Sequence, residues 1–177
     1  MKPFCLLAAL VLAAVLAAPA QAQPIMHRTA VEAGEAVPTN GSFSIRFPIA
    51  FNDMELRDED PPAPTFVVHL LSGVDGEGLR LSATETPLLE TALPIDAFME
   101  AAGRKPGVAV SEVAHEQNAA TTMLSFLLSN PKGGSYFRVI RTKATQYMLV
   151  IQFPEALRNR AAGMKDEFFG SFRMTRP

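Results

Sequence analysis

Tyr147-Met148-Leu149-Val150-Ile151-Gln152-Phe153-Pro154 is the stretch on which the fold turns. Its first five residues are apolar on both sides of a strand. A half-buried strand alternates apolar and polar residues, whereas a strand apolar on both faces belongs inside a sheet covered above and below. The next residues supply one cover. Between Glu155 and Phe168, Leu157, Ala161, Met164 and Phe168 share a helical stripe, and Arg158, Asn159, Arg160, Lys165 and Asp166 make the wet face. That pattern predicts an amphipathic helix laid on the sheet.

Upstream, Tyr136 to Thr142 reads as the partner of this strand in a hairpin. Asn130-Pro131-Lys132-Gly133-Gly134 is a turn, and Thr121 to Leu128 and Val108 to Val113 are further strands. The period changes at Pro94 to Ala102, where Ile95, Phe98, Met99 and Ala102 recur at helical spacing, with Pro94 suited to the first turn and Gly103 to the cap. Earlier still, Leu79 to Thr84, Thr65 to Leu71 and Phe43 to Phe47 read as strands. Asn40-Gly41 marks a tight turn. Asn52 to Pro64, acidic and proline-rich, reads as an exposed loop, and residues 23–40 as a loose lead-in to a single domain over 41–177. Phe169 to Met174 is a short closing strand that pairs back onto the sheet. The expected class is α+β: a mostly antiparallel sheet of six to seven strands flanked by two main helices in an α/β/α sandwich.

Three segments carry a family likeness: Gly41-Ser42-Phe43-Ser44-Ile45-Arg46-Phe47-Pro48, the strand Tyr147 to Pro154, and Phe168-Phe169-Gly170-Ser171-Phe172. Together with the element order they resemble the PsbP-like superfamily, which includes the small Ran-binding Mog-type proteins and an exported bacterial branch. The resemblance covers most of the chain beyond its leader and rests on packing patterns, not on a catalytic signature. It implies the PsbP-like fold and a non-enzymatic partner or assembly factor, and it carries no site residue with it.

The N-terminus predicts a destination. Lys2, the unbroken apolar run Phe4 to Ala18 and Ala20-Gln21-Ala22 form the pattern of a cleavable signal peptide over residues 1–22. The run is shorter than the ~20 apolar residues a bilayer span needs. The mature chain is expected to be periplasmic or secreted after cleavage following Ala22, with no membrane span. Cys5 is the one cysteine and leaves with the leader, so neither a disulfide nor a thiolate site is expected. The full chain has 16 basic against 18 acidic residues, and loss of Lys2 makes it more acidic. That balance excludes a general attraction for nucleic acid.

Motifs for chemistry dissolve on inspection. Ser129-Asn130-Pro131-Lys132 has serine-x-x-lysine spacing, but Pro131 and Gly133-Gly134 make it a turn where that chemistry needs a helix. His115-Glu116 lacks the second histidine of a zinc-protease helix. His27 and His69 stand apart from it, and His69, in an apolar strand, reads as a hydrogen-bonded core or edge residue. Gly73, Gly76 and Gly78 lack the lysine of a phosphate loop and the carboxylates of a calcium loop, leaving a hairpin connection. No catalytic residue, metal site or cofactor is expected.

What remains points to binding. Tyr136, Arg138, Arg141, Lys143 and Tyr147 form a hairpin of aromatics and cations suited to an anion or an acidic protein face, although such charges also guard sheet edges. Asp58, Glu59 and Asp60 make an acidic loop that offers a contact to a basic partner or is simply solvated. The expected function is an exported, non-enzymatic binding or assembly factor of the cell envelope that recognises another protein or envelope component. The alternatives are a carrier of a small apolar ligand held between a helix and the sheet, and, last, a hydrolase whose site is assembled across the fold.

Overall fold

The computed structural model describes residues 25–57 and 67–175. The signal peptide expected over residues 1–22 and the acidic triplet Asp58, Glu59 and Asp60 lie outside the described residues. Eight strands form one sheet, every neighbouring pair antiparallel. In spatial order they are β1 (Ile25–Val31), β4 (Phe51–Arg57), β5 (Val67–Val74), β6 (Arg80–Pro87), β10 (Thr145–Pro154), β9 (Gly133–Arg141), β8 (Thr122–Asn130) and β7 (Ala109–Gln117). Strand β10 lies between β6 and β9, inside the sheet, as its apolar faces require.

Alternation along β10 assigns the two faces. Tyr147, Leu149, Ile151 and Phe153 enter a core that also holds Ala161, Phe168 and Phe169 of helix α2 (Arg158–Gly170). A short 3-10 turn, Glu155–Leu157, leads into that helix. The same core receives Phe43, Ile45 and Phe47 from β3 (Phe43–Phe47). Strand β3 is the centre of a small sheet with β2 (Gly34–Ala36) and β11 (Arg173–Met174) on its two sides. Met148 and Val150 join a second core with Leu124, Phe126, Phe137 and Val139. Helix α1 (Ala97–Gly103) and the turn before it cover that core with Ile95, Phe98, Met99 and Ala102. Phe126 and Phe137 stack there at 4.9 Å and 10°. Burying each such ring removes apolar surface worth roughly 1.5–3 kcal/mol from water.

Five expectations change. Residues 25–31 and 34–36, read as a loose lead-in, are strands β1 and β2. The loop expected from Asn52 begins instead with strand β4. On β4, Asp53, Glu55 and Arg57 share a face with Phe51, so the binary pattern is broken by charges that meet polar partners. The closing strand β11 pairs with β3 rather than with the large sheet. The sheets together hold eleven strands among the described residues, against the six or seven expected. Strand β7 also runs further than expected, and every residue from Ser111 to Gln117 is exposed. A register shift between Ser111 and Ala114, with Glu112 at φ 52°, bulges this edge. Bulges of this kind discourage edge-to-edge pairing.

Candidate functional site

The hairpin residues named from sequence separate into two groups. Tyr136 and Tyr147 are 4% and 2% exposed. Tyr147 lies edge-on to Phe43 and Phe172 under the small sheet. Tyr136 lies beneath α2, with the Lys165 ammonium 5.0 Å from its ring centroid. Burial, joined by the Glu112 carboxylate, pushes the Tyr136 hydroxyl above its ordinary pKa. Arg138 is on this same face, its guanidinium 5.0 Å from the Phe169 ring and its Nε donating to Ser125 Oγ at 3.1 Å. Burial pulls its pKa down, while Glu116 and Asp166 push it back up.

Arg141 and Lys143 are brought together elsewhere, at the end of the β9–β10 hairpin. Arg141 donates to Gln146 Oε1 at 2.8 Å and to the Leu93 carbonyl. The Leu88 amide donates to the Ala144 carbonyl at 2.7 Å. These bonds fasten the segment after β6 against the hairpin turn. Lys143 is exposed on that turn. Beside it Leu89 and Leu93 are 56% and 70% exposed. The result is a patch of two open leucines with two cations, which the hairpin sequence alone does not announce because the leucines come from another connection.

A row of polar groups crosses the sheet under the small one. The registers set His27 opposite Glu55, Glu55 opposite His69, His69 opposite Glu85, and Glu85 opposite Tyr147. Glu55 accepts from Arg57 Nε and from Asn40 Nδ2 at 3.2 Å. The Arg57 bond holds its carboxyl below the ordinary glutamate pKa, against the opposing effect of burial and with help from Asn40. Glu85 accepts from the Ser42 amide and hydroxyl at 2.8 and 2.7 Å. Asp53 accepts from the Thr39 amide and hydroxyl at 2.9 and 2.7 Å. Three carboxylates thus tie the turn before β3 to the sheet. Asn40 adopts φ 60°, and the Gly41 amide closes the turn on the Pro38 carbonyl at 3.0 Å.

His69 takes the core place expected of it but lacks the expected hydrogen bond at Nδ1. It is 8% exposed on the interior strand β5, and its Nδ1 is buried without a hydrogen-bond partner, 3.7 Å from Glu55 Oε2. His115 stands exposed on β7. Among the described residues no three histidine, aspartate or glutamate side chains converge in a way that holds a metal ion. The glycine connection between β5 and β6 is a hairpin loop in which Asp75 accepts from the Glu77 and Leu79 amides, both at 2.9 Å. Ser129 and Asn130 end β8, and Pro131 and Lys132 make the β8–β9 turn, where Asn130 Oδ1 accepts from the Lys132 amide at 2.8 Å.

Among the grooves that the described residues form are two. One, of about 630 Å³, runs beside β7 and is lined by Glu116, Met123, Ile140, Phe172 and Met174 among others. The other, of about 440 Å³, lies between α1 and the β8–β9 hairpin. No helix among the described residues is long and apolar enough to cross a membrane. The chain matches no protein-family model and no curated protein.

Proposed function

We propose that this chain is an exported, non-enzymatic binding or assembly factor of the cell envelope, PsbP-like in fold and α/β/α in layering, that holds an envelope protein at the end of its β9–β10 hairpin. The observation that carries the reading is the exposed pair Leu89 and Leu93 set beside Arg141 and Lys143. Open leucines on a fastened connection form an anchor that gains by being covered, and adjacent cations favour an acidic rim on the partner. The leader pattern of Lys2, Phe4 to Ala18 and Ala20-Gln21-Ala22 supports export. Packing of the two helix stripes into separate cores supports the layering.

Crosslinking capture from the envelope fraction tests it, comparing the native chain with Leu89→Asp/Leu93→Asp and with Lys143→Glu. The expected result is loss of one specific crosslinked partner in the leucine variant, with circular dichroism unchanged, and a weaker loss in the lysine variant. Identical partners at identical yield in both variants remove the patch from consideration.

A further inference from the structure

We propose that residues 88–108 form a lid that lifts from the second core as one unit, with Arg141 as its latch. The contrast between floor and cover carries this. The floor is dry, with Leu124, Phe126, Leu128, Phe137 and Val139 all buried. The cover is wet. Ala102 is the one buried residue from 88 to 108, and Ile95, Phe98 and Met99 pack on the floor while only partly buried themselves. Helix α2, which covers the other face of the sheet, sinks Ala161, Phe168 and Phe169 into its core. A segment that buries little of its own apolar surface opens at lower free energy than the whole molecule.

Local structure gives the lid little stability of its own. Helix α1 spans seven residues, and Asp96 at its N-cap makes no side-chain capping bond. A helix so short is marginal in water. Its backbone bonds stay within the segment, from the Glu100 amide to the Asp96 carbonyl at 2.9 Å and from the Arg104 amide to the Glu100 carbonyl at 3.2 Å. The helix therefore persists only while docked, and lifting and unwinding are one event. Two bonds hold the near end to the β9–β10 hairpin. The Leu88 amide donates to the Ala144 carbonyl, and the Arg141 guanidinium reaches further in, to the Leu93 carbonyl. Gln146 Oε1 steadies that guanidinium at 2.8 Å. At the far end Gly107 takes φ 76°, with nothing within 4 Å of the place a Cβ would occupy, and serves as a swivel before β7. Opening parts Leu89 and Leu93 from Lys143 and bares the stacked Phe126 and Phe137. The leucine patch is whole only with the lid shut. Opening itself needs no partner, so the lid and the patch are tested separately and can fail separately.

The test is native-state hydrogen exchange of the purified protein, followed by NMR across urea concentrations below the unfolding transition. The amides of Leu88, Glu100 and Arg104 are expected to share one exchange isotherm, with a urea slope smaller than that of global unfolding and protection at least about 100-fold below that of Phe168 and Phe169 on α2. Arg141→Met keeps the length of the side chain and removes its donors. It should speed exchange of the three lid amides at least about fivefold and leave Phe168 and Phe169 unchanged. Lid amides that follow the global isotherm overturn the proposal. So do lid amides that exchange independently with no urea dependence, which is fraying, and an Arg141→Met variant that leaves the lid unchanged or accelerates α2 equally. If that variant does not fold, the isotherms of the native protein decide alone.

Discussion

The Ser42 hydroxyl lies 2.7 Å from the Tyr147 hydroxyl, joining the turn before β3 to the central strand across 105 positions of sequence. Ser42 has one hydroxyl hydrogen, and the Glu85 carboxylate, 2.7 Å away, is an acceptor. The proton order follows: Tyr147 donates to Ser42, and Ser42 donates to Glu85. The chain of bonds lies at the edge of the main core, where an unmade bond is costly. Ser42→Ala and Tyr147→Phe are each expected to destabilise by about 1–3 kcal/mol, and the double variant by less than their sum. Urea unfolding of the four-member cycle measures this, and strict additivity would dissolve the coupling.

Acid should find Glu55. Its folded pKa lies below the ordinary value of 4.5, chiefly because Arg57 donates to it. A depressed carboxyl pKa contributes stability that is fully present above the unfolded value and is lost as pH falls through the folded one. The loss therefore begins near pH 4.5 and deepens below it. Glu55→Gln is expected to cost about 1 kcal/mol at pH 7, since Arg57 is partly exposed and its bond is screened. At pH 3 the difference from the native chain should shrink. Unfolding midpoints at the two values decide, and a gap that widens in acid contradicts the assignment.

The two cores should respond unequally. Phe47 is fully buried, 4.7 Å from the Phe51 ring and 5.4 Å from Phe168, and it joins the small sheet to α2. Phe98 on α1 is half-buried against Phe126 and Phe137. Phe47→Ala should cost about 3–5 kcal/mol and Phe98→Ala clearly less, because the cavity at Phe98 opens to water. Thermal midpoints compared between the two variants measure the order.

Helical stripes and the strand that is apolar on both sides were readable because their periods survive without knowledge of partners. Ile95, Phe98, Met99 and Ala102 reach one core, and Leu157, Ala161, Met164 and Phe168 reach the other. Strand β4 was unreadable because Asp53 and Glu55 face the Thr39–Ser42 turn, where charge is bonded rather than hydrated. The row from Glu55 through His69 to Glu85 exists only in the register of three strands, and no local pattern encodes a register. Strand alternation alone separates Arg138 from Arg141, which lie three apart and so take opposite faces.

The pairing of β6 with β10 has a kinetic meaning. Strands β4 to β6 are sequential neighbours, as are β7 to β10, so each half of the sheet is an up-and-down meander that forms from nearby segments. One seam joins them, with Leu81 against Ile151 and Ala83 against Leu149, all four side chains fully buried. That seam closes a long loop and is expected late in folding. A chain cut before Thr145 would keep β6 as a raw edge and lack α2 altogether. In hydrogen-exchange labelling the amides of Leu81, Ala83, Leu149 and Ile151 should release deuterium only through global unfolding, while those on β7 trade with solvent by local fraying.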